Sequence, residues 1–202
     1  MTRLPPDIDP ESRSRLPVVR REALDEATQA AYDEIATRSA TSVAGLQGPG
    51  GIMLHSPALV AVHRAYNRAL RTLPELGPAL TELAILVTAR GMDQPFEWTT
   101  HEPAARAAGL AERTIEVVRQ RLPVEGLAPR EAIVIRLGSE VFGMRRVRPE
   151  TYAEAERLLG RRALVSLVAV MASYTGTAVL LTVFDQQLPP GTPSTLDESP
   201  EK

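Results

Sequence analysis

The feature that most constrains the fold is a long run without any charged residue, Ala163 to Phe184. As a helix, a run of this length can span a membrane. A helix that is apolar nearly all round is also typical of the buried centre of a helical protein or of an oligomer interface. Polar side chains spread along the run favour the buried helix, with a membrane span as the alternative: Ser166, Ser173, Tyr174, Thr175, Thr177 and Thr182.

The rest of the chain also predicts helices, so we expect an all-α bundle. Aromatic residues make up only 4% of the sequence, and no stretch alternates apolar and polar residues for long enough to be a strand. Proline, serine and glycine punctuate about eight helices. We expect an extended arm over residues 1–20, a single helical domain over 21–188 and a disordered tail over 189–202.

The predicted helix boundaries follow from these start and stop signals. Ser56-Pro57 is a clear start, Gly91 is a clear stop, and Ser39 to Gly51 reads as a glycine-rich loop. The predicted helices run from Arg21 to Arg38, Pro57 to Arg71, Pro74 or Pro78 to Arg90, and Asp93 or Gln94 to Gly109, and then over residues 111–121, 129–143, 150–159 and 161–185.

The absence of cysteine excludes several classes of function at once. Disulfides, thiolate nucleophiles and thiolate metal sites are all ruled out. The formal net charge of −2 provides no general attraction to nucleic acid or to an anionic membrane, so we expect neither as a partner. The first residues lack the apolar core of a secretory signal, and we expect a cytoplasmic protein.

Three ionisable residues between positions 82 and 101 are the candidate catalytic group. Glu82 stands in an otherwise uncharged run, and Glu97 and His101 lie four residues apart, on one face of a helix. Two carboxylates that meet one imidazole suit proton transfer, because the carboxylates orient the ring and tune its basicity. All three could instead be ordinary surface residues. A metal site is open by ligand type, but no strong ligand spacing supports it.

Less common residues surround this group and are candidates to bind a substrate. Trp98 is the only tryptophan, and Pro103 should bend the helix beside His101. Phe96, Gln94, His55 and Tyr174 complete the predicted substrate-binding set, although packing roles are the alternative for His55 and Tyr174. Any of four arginines could bind a substrate carboxylate through paired hydrogen bonds: Arg64, Arg68, Arg71 or Arg90.

Several segments together resemble the carboxymuconolactone decarboxylase and alkylhydroperoxidase-like (AhpD-like) superfamily. They are LDEATQAAYDEI, IMLHSPAL, LTELAILVTAR, FEWTTHEPAARAAGL and ASYTGTAVLLTVF, and the similarity covers about Leu16 to Pro189. In the peroxidase branch, a glutamate precedes a CxxC motif and then a histidine. Glu82 and His101 match that glutamate and histidine, whereas the two cysteine positions fall on Gln94 and Glu97. Without thiols, dithiol peroxide reduction has no nucleophile here.

The resemblance that remains is to the non-redox branch, typified by gamma-carboxymuconolactone decarboxylase. It implies a helical bundle that associates as trimers or hexamers, and a lyase or isomerase that needs no cofactor. We therefore expect decarboxylation or a double-bond or lactone rearrangement of a small carboxylated or carbonyl compound. His101 would be the general acid/base, Glu82 its orienting partner and Glu97 a second base or a gate. The alternative is a non-catalytic oligomeric binding or scaffold protein.

Overall fold

A computed structural model describes residues 4–39 and 45–196, and this part of the chain is helical without strands. After a short 3-10 turn at Arg21–Ala23, it contains eight α-helices. They are α1 (Glu26–Ser39), α2 (Pro49–Met53), α3 (Pro57–Leu70), α4 (Gly77–Gly91), α5 (Pro95–Ala107), α6 (Glu112–Gln120), α7 (Pro129–Ser139) and α8 (Pro149–Val183). The all-α prediction is confirmed.

Most predicted helix ends agree with these bounds, and three segments differ. The helix predicted from Arg21 begins only at Glu26, after the 3-10 turn. The predicted loop from Ser39 to Gly51 contains the start of α2, because Pro49 opens a turn whose Ile52 and Met53 are buried. Residues 40–44 of that loop lie outside the described residues. The helix predicted over 129–143 changes after Ser139 into a π-helical turn, Glu140–Met144. There the buried Glu140 accepts hydrogen bonds from Arg148 and Thr151.

The chain forms two compact units. The first comprises Met1–Arg68 and Val179–Ser194, and the second comprises Ala69–Ala178 and Thr195–Lys202. In the first unit, Ile35, Leu54 and Val60 lie in a small core. The arm predicted to be extended is attached within this unit, since the Arg15 N–H donates to the Phe184 carbonyl and the Gln187 N–H donates to the Arg13 carbonyl, both at 2.8 Å.

The second unit is organised around α4, which packs against α5, α6 and α7. Every residue of α4 from Leu80 to Ala89 is buried. The contact with α7 is close, since a Cβ on Gly138 would stand 2.0 Å from Cγ1 of Val87. A helix surrounded in this way has no solvent-facing side, so the surface position considered for Glu82 is wrong.

Helix α8 contains the long uncharged run and is broken once. Gly160 has φ 77° and ψ 157°, which separates a first segment from the apolar one; glycine alone adopts such angles readily. Among the helices described, α8 is the one long and apolar enough to cross a membrane, with a mean hydropathy of 1.9. In the most apolar 18-residue stretch of α8, 44% of the residues are buried. Core helices of proteins share this pattern.

The last described residues, which fall in the segment predicted to be a disordered tail, are anchored to the second unit. The Thr195 hydroxyl donates to the buried carboxylate of Glu102, which also accepts from Arg106 and Arg119. Leu196 is buried in the core. One apolar and one hydroxyl side chain thus hold residues 195 and 196 in place. Residues 197–202 lie outside the described part of the chain.

Candidate functional site

The site is built on Glu82, one of the most buried charged groups in the second unit. Its side chain is 7% exposed, and both carboxylate oxygens have charged or polar partners. Oε2 lies 2.8 Å from Nδ1 of His101, and Oε1 accepts from Nη2 of Arg71, also at 2.8 Å. A buried carboxylate is tolerated only with such partners. The predicted contact between Glu82 and His101 is therefore present.

Arg71 extends this contact to α8. Its Nη1 donates to the hydroxyl of Tyr174 at 2.9 Å while Nη2 holds Glu82, so a single guanidinium joins two buried groups. The ring of Tyr174 meets the ring of His101 edge to face, with centroids 5.0 Å apart and an interplanar angle of 86°. We refer to Tyr174, Arg71, Glu82 and His101 as the proton-site chain.

The charges of the proton-site chain fix the tautomer of His101. Burial disfavours the ionised form of Glu82, but the hydrogen bond from His101 and the charges of His101 and Arg71 outweigh it, so the pKa of Glu82 lies below its usual value. An ionised carboxylate only accepts hydrogen bonds, so Nδ1 of His101 carries the proton. When the ring is neutral, the free lone pair is therefore on Nε2, and the contact with Glu82 is made by Nδ1.

In the proton-site chain, Tyr174 is a neutral hydrogen-bond partner of Arg71. Burial raises the pKa of Tyr174 to about 12, although the Arg71 guanidinium opposes this effect. At neutral pH its hydroxyl therefore keeps its proton and accepts from Arg71. The interaction fixes the ring against the imidazole, and it restricts the imidazole to the orientation that Glu82 already favours.

Glu97 is buried near the same group but makes no hydrogen bond. It precedes His101 by one helical turn on α5, is 3% exposed, and has no partner for either oxygen among the described residues. Burial raises the pKa of Glu97 well above its usual value. The sequence predicts that both carboxylates meet the imidazole, and in this respect it is wrong: the ring is turned towards Glu82 on α4.

The remaining predicted residues take several positions. Gln94 accepts from the Phe96 N–H at 3.0 Å and so caps α5, as the sequence predicts. Phe96 and Trp98 are buried, and the Arg119 guanidinium lies 5.6 Å from the ring centroid of Trp98. His55 is exposed in the first unit, where Nε2 lies 2.9 Å from the Pro17 carbonyl. Its role in binding stays a prediction.

Only one of the four candidate arginines lies in the proton-site chain. Arg64 and Arg68 pair with Glu34 in the first unit, and Arg90 pairs with Asp93. Arg71 is joined to Tyr174 by a hydrogen bond between residues 103 positions apart. No local pattern reveals such a pair, because neither residue falls on the helices that carry Glu82 and His101.

Glu97 makes a testable contribution to the pH dependence of stability. A glutamate in the unfolded chain ionises near pH 4.5, whereas the folded state keeps the Glu97 proton to a higher pH. Ionisation therefore favours the unfolded state, and stability falls as pH rises from about 4.5 to the folded pKa. Because Glu97→Gln has no such proton to lose, its free energy of unfolding should increase relative to the parent protein by up to about 1.4 kcal/mol per pH unit over that range.

Urea unfolding of both proteins between pH 4.5 and pH 8 measures this difference. Glu125→Gln is the control for the loss of a glutamate carboxylate as such, because Glu125 is an exposed carboxylate in the same unit. A Glu97→Gln difference that is constant over the whole range would show that Glu97 ionises normally in the folded protein.

Comparison with known proteins gives the fold. No protein-family model matches the sequence, and no curated protein matches it. Among solved structures, the chain is similar to the crystal structure of an alkylhydroperoxidase AhpD core, an uncharacterized peroxidase-related protein from Ralstonia eutropha JMP134. The TM-score is 0.72 at 14% sequence identity, over 88% of this chain and 93% of that one. The chain therefore has the AhpD-like helical fold that the resemblance implies, without any cysteine.

Proposed function

We propose that this chain, which carries the helical fold of an AhpD core, is a cofactor-independent acid–base enzyme. Its substrate is a small carboxylated, lactone or carbonyl compound that undergoes decarboxylation or a double-bond or lactone rearrangement. The observation that supports this is the 2.8 Å contact between His101 and Glu82, a carboxylate buried in α4 and held by Arg71. Surface Glu–His pairs have no need of such an arrangement.

His101 is the residue that moves the proton. Glu82 holds Nδ1–H, so the Nε2 lone pair takes a proton from an acidic carbon of the substrate. In a rearrangement, the imidazolium that forms is stabilised by the ionised Glu82, and its Nε2–H returns the proton to a second carbon. In a decarboxylation no C–H proton is removed, and an imidazolium protonated from solvent gives its Nε2–H to the carbon that has lost carbon dioxide. Tyr174 and Arg71 keep the ring in place during both transfers.

Arg71 is the best candidate of the four arginines to hold a substrate carboxylate. Its side chain is 39% exposed, and among the described residues only two of the five N–H donors of the guanidinium are used. Of the four candidate arginines, Arg71 is the one whose carboxylate partner, Glu82, also contacts His101. Binding there places the substrate anion beside the base.

Hydrogen–deuterium exchange tests this proposal without knowledge of the substrate. A panel of carboxylated lactones, keto acids and unsaturated acids is incubated in D2O with the protein and without added metal or cofactor. Proton NMR should show deuterium entering an acidic C–H position, or loss of the carboxylate, in at least one compound faster than in buffer. Absence of both reactions across the panel would favour the non-catalytic binding or scaffold protein.

We also propose that the protein associates with itself, as the resemblance to the superfamily implies. In the second unit, α8 exposes Val165 and Val168, which are 70% and 46% exposed. Apolar side chains on one helix are typical of a contact surface between copies. Light scattering coupled to size exclusion measures the number of copies, for which we expect three or six.

A further inference from the structure

Glu97 differs from every other buried carboxylate in the described residues. Glu82 is held by Arg71 and His101, Glu102 by two arginines and Thr195, and Glu140 by Arg148 and Thr151. These three have donors for their charge. Glu97 is as buried as they are, yet both of its oxygens lack a hydrogen-bond partner within residues 4–39 and 45–196. Burying an unpaired carboxyl costs stability, so its presence here points to a role other than stabilising the fold.

The chemical state of Glu97 follows from its surroundings. An ionised carboxylate without partners is very unfavourable in a protein interior, so the side chain takes up a proton instead. Burial accordingly raises its pKa. A protonated carboxyl has an O–H group that can donate one hydrogen bond, which an ionised carboxylate cannot do. Glu97 therefore brings a neutral donor to the site.

The groups near Glu97 indicate what this donor meets. His101 lies on the next turn of α5, four residues after Glu97, and its ring meets the ring of Tyr174 edge to face. The Tyr174 hydroxyl accepts from Arg71, a cation that has donors without a partner among the described residues. The site thus combines a cation for an anionic group, a base at Nε2 of His101, and a neutral donor for an uncharged acceptor.

We propose that Glu97 donates a hydrogen bond from its carboxylic acid to a carbonyl oxygen of the substrate, which rests on the acid–base function proposed above. The substrate class is then a small acid with two ends: a carboxylate that binds Arg71 and a keto or lactone carbonyl that binds Glu97. Glu97 discriminates against acids that lack the carbonyl, because its buried O–H would then remain without an acceptor.

For a decarboxylation the steps balance as follows. The bond between the substrate carbon and its carboxylate breaks, carbon dioxide leaves, and the electron pair moves into the conjugated carbonyl to form an enolate. The enolate oxygen accepts the Glu97 hydrogen bond, and Glu97 keeps its proton. The enolate carbon takes a proton from Nε2 of the His101 imidazolium, which solvent protonates again before the next turnover. A hydrogen bond to a developing oxyanion strengthens as charge accumulates on it.

The protonation state of Glu97 is the first test and needs no ligand. Carbon-13 NMR of protein labelled at the glutamate carboxyl carbons gives one signal that Glu97→Gln removes. At pH 7 that signal should have the chemical shift of a protonated carboxyl, while the exposed glutamates have shifts of ionised ones. A Glu97 signal that titrates with the exposed glutamates would overturn the proposal.

The second test measures the preference for a carbonyl with two probes of matched shape, 3-oxocyclopentane-1-carboxylate and cyclopentane-1-carboxylate. Calorimetry or NMR titration should show that the parent protein binds the keto acid about three- to tenfold more tightly, the range expected for one hydrogen bond. Glu97→Met should abolish this preference. Glu97→Gln should keep it, because the amide still donates. Circular dichroism of each variant establishes that it is folded.

The outcomes of the second test separate this proposal from the proposed activity. Equal affinities for the two probes, a preference that persists in Glu97→Met, or no binding of either probe would each overturn the inference about Glu97. None of these measurements involves turnover. If the deuterium-exchange panel shows no reaction while the keto preference depends on Glu97, the acid–base function fails and the assignment of Glu97 as a donor stands.

Discussion

Replacing His101 with glutamine is expected to reduce turnover of any substrate found in the deuterium-exchange panel by about 10²–10⁴-fold. Glutamine has nearly the size of the imidazole and can still hydrogen-bond to Glu82, but it cannot take up a proton at neutral pH. The loss should appear in kcat, because the proton transfer itself is removed while the groups that contact the substrate remain. Initial rates of deuterium incorporation over a range of substrate concentrations measure kcat and KM.

His63→Gln is the matched control for this substitution. His63 is a half-buried histidine on α3 in the first unit, where it contacts Asn67, and its replacement should leave kcat within about twofold, as expected of a residue that does not belong to the proton-site chain. An unchanged kcat in His101→Gln would remove the acid–base mechanism, since no other histidine lies in the proton-site chain.

Replacing Trp98 with alanine is expected to lower the free energy of unfolding by about 3–5 kcal/mol. The ring is fully buried, in the core formed around α4, so alanine leaves a large cavity in the centre of the second unit. The substitution also removes the contact with the Arg119 guanidinium above the ring. Denaturant unfolding followed by circular dichroism measures the loss, because the only tryptophan is no longer present as a fluorescent probe.

Trp98→Phe separates the contribution of packing from that of the indole N–H. Nε1 of Trp98 is buried without a hydrogen-bond partner in the described part of the chain, and phenylalanine removes this unsatisfied donor, which offsets part of the lost volume. We expect Trp98→Phe to be at least about 2 kcal/mol more stable than Trp98→Ala, since most of the ring volume is retained. Equal losses in the two variants would contradict this prediction, because the phenyl ring would then recover none of the packing that alanine removes.

The sequence predicts the centre of the fold well, and the reason is local. Glu82 is the only charge in its run, and the apolar residues around it favour a buried α4, which the structure confirms. The sequence alone left a surface position for Glu82 open. The separation of Glu97 and His101 fixes their common helix face. Proline and glycine mark several helix boundaries, including the break at Gly160. These features depend on neighbours in the chain, which a sequence displays directly.

The partners of Glu82 and the state of Glu97 depend on contacts that the sequence does not display. Arg71 looks like any other arginine near a helix end, and only the folded chain brings it to Tyr174. The absence of partners around Glu97 is a property of the packed interior, so periodicity cannot reveal it. The anchored residues Thr195 and Leu196 were likewise hidden, because the proline-rich composition around them favours disorder.

The unequal exposure of the proton-site chain determines how it responds to ionic strength. Mobile ions screen charges in contact with water and have little effect on those enclosed by protein. Arg71 is 39% exposed, whereas the Glu82 and His101 side chains are 7% and 12% exposed. Added salt should therefore weaken the attraction of an anionic substrate to Arg71 and leave the Glu82–His101 contact intact. Concentrated salt should therefore raise KM for an anionic substrate at concentrations that leave kcat unchanged.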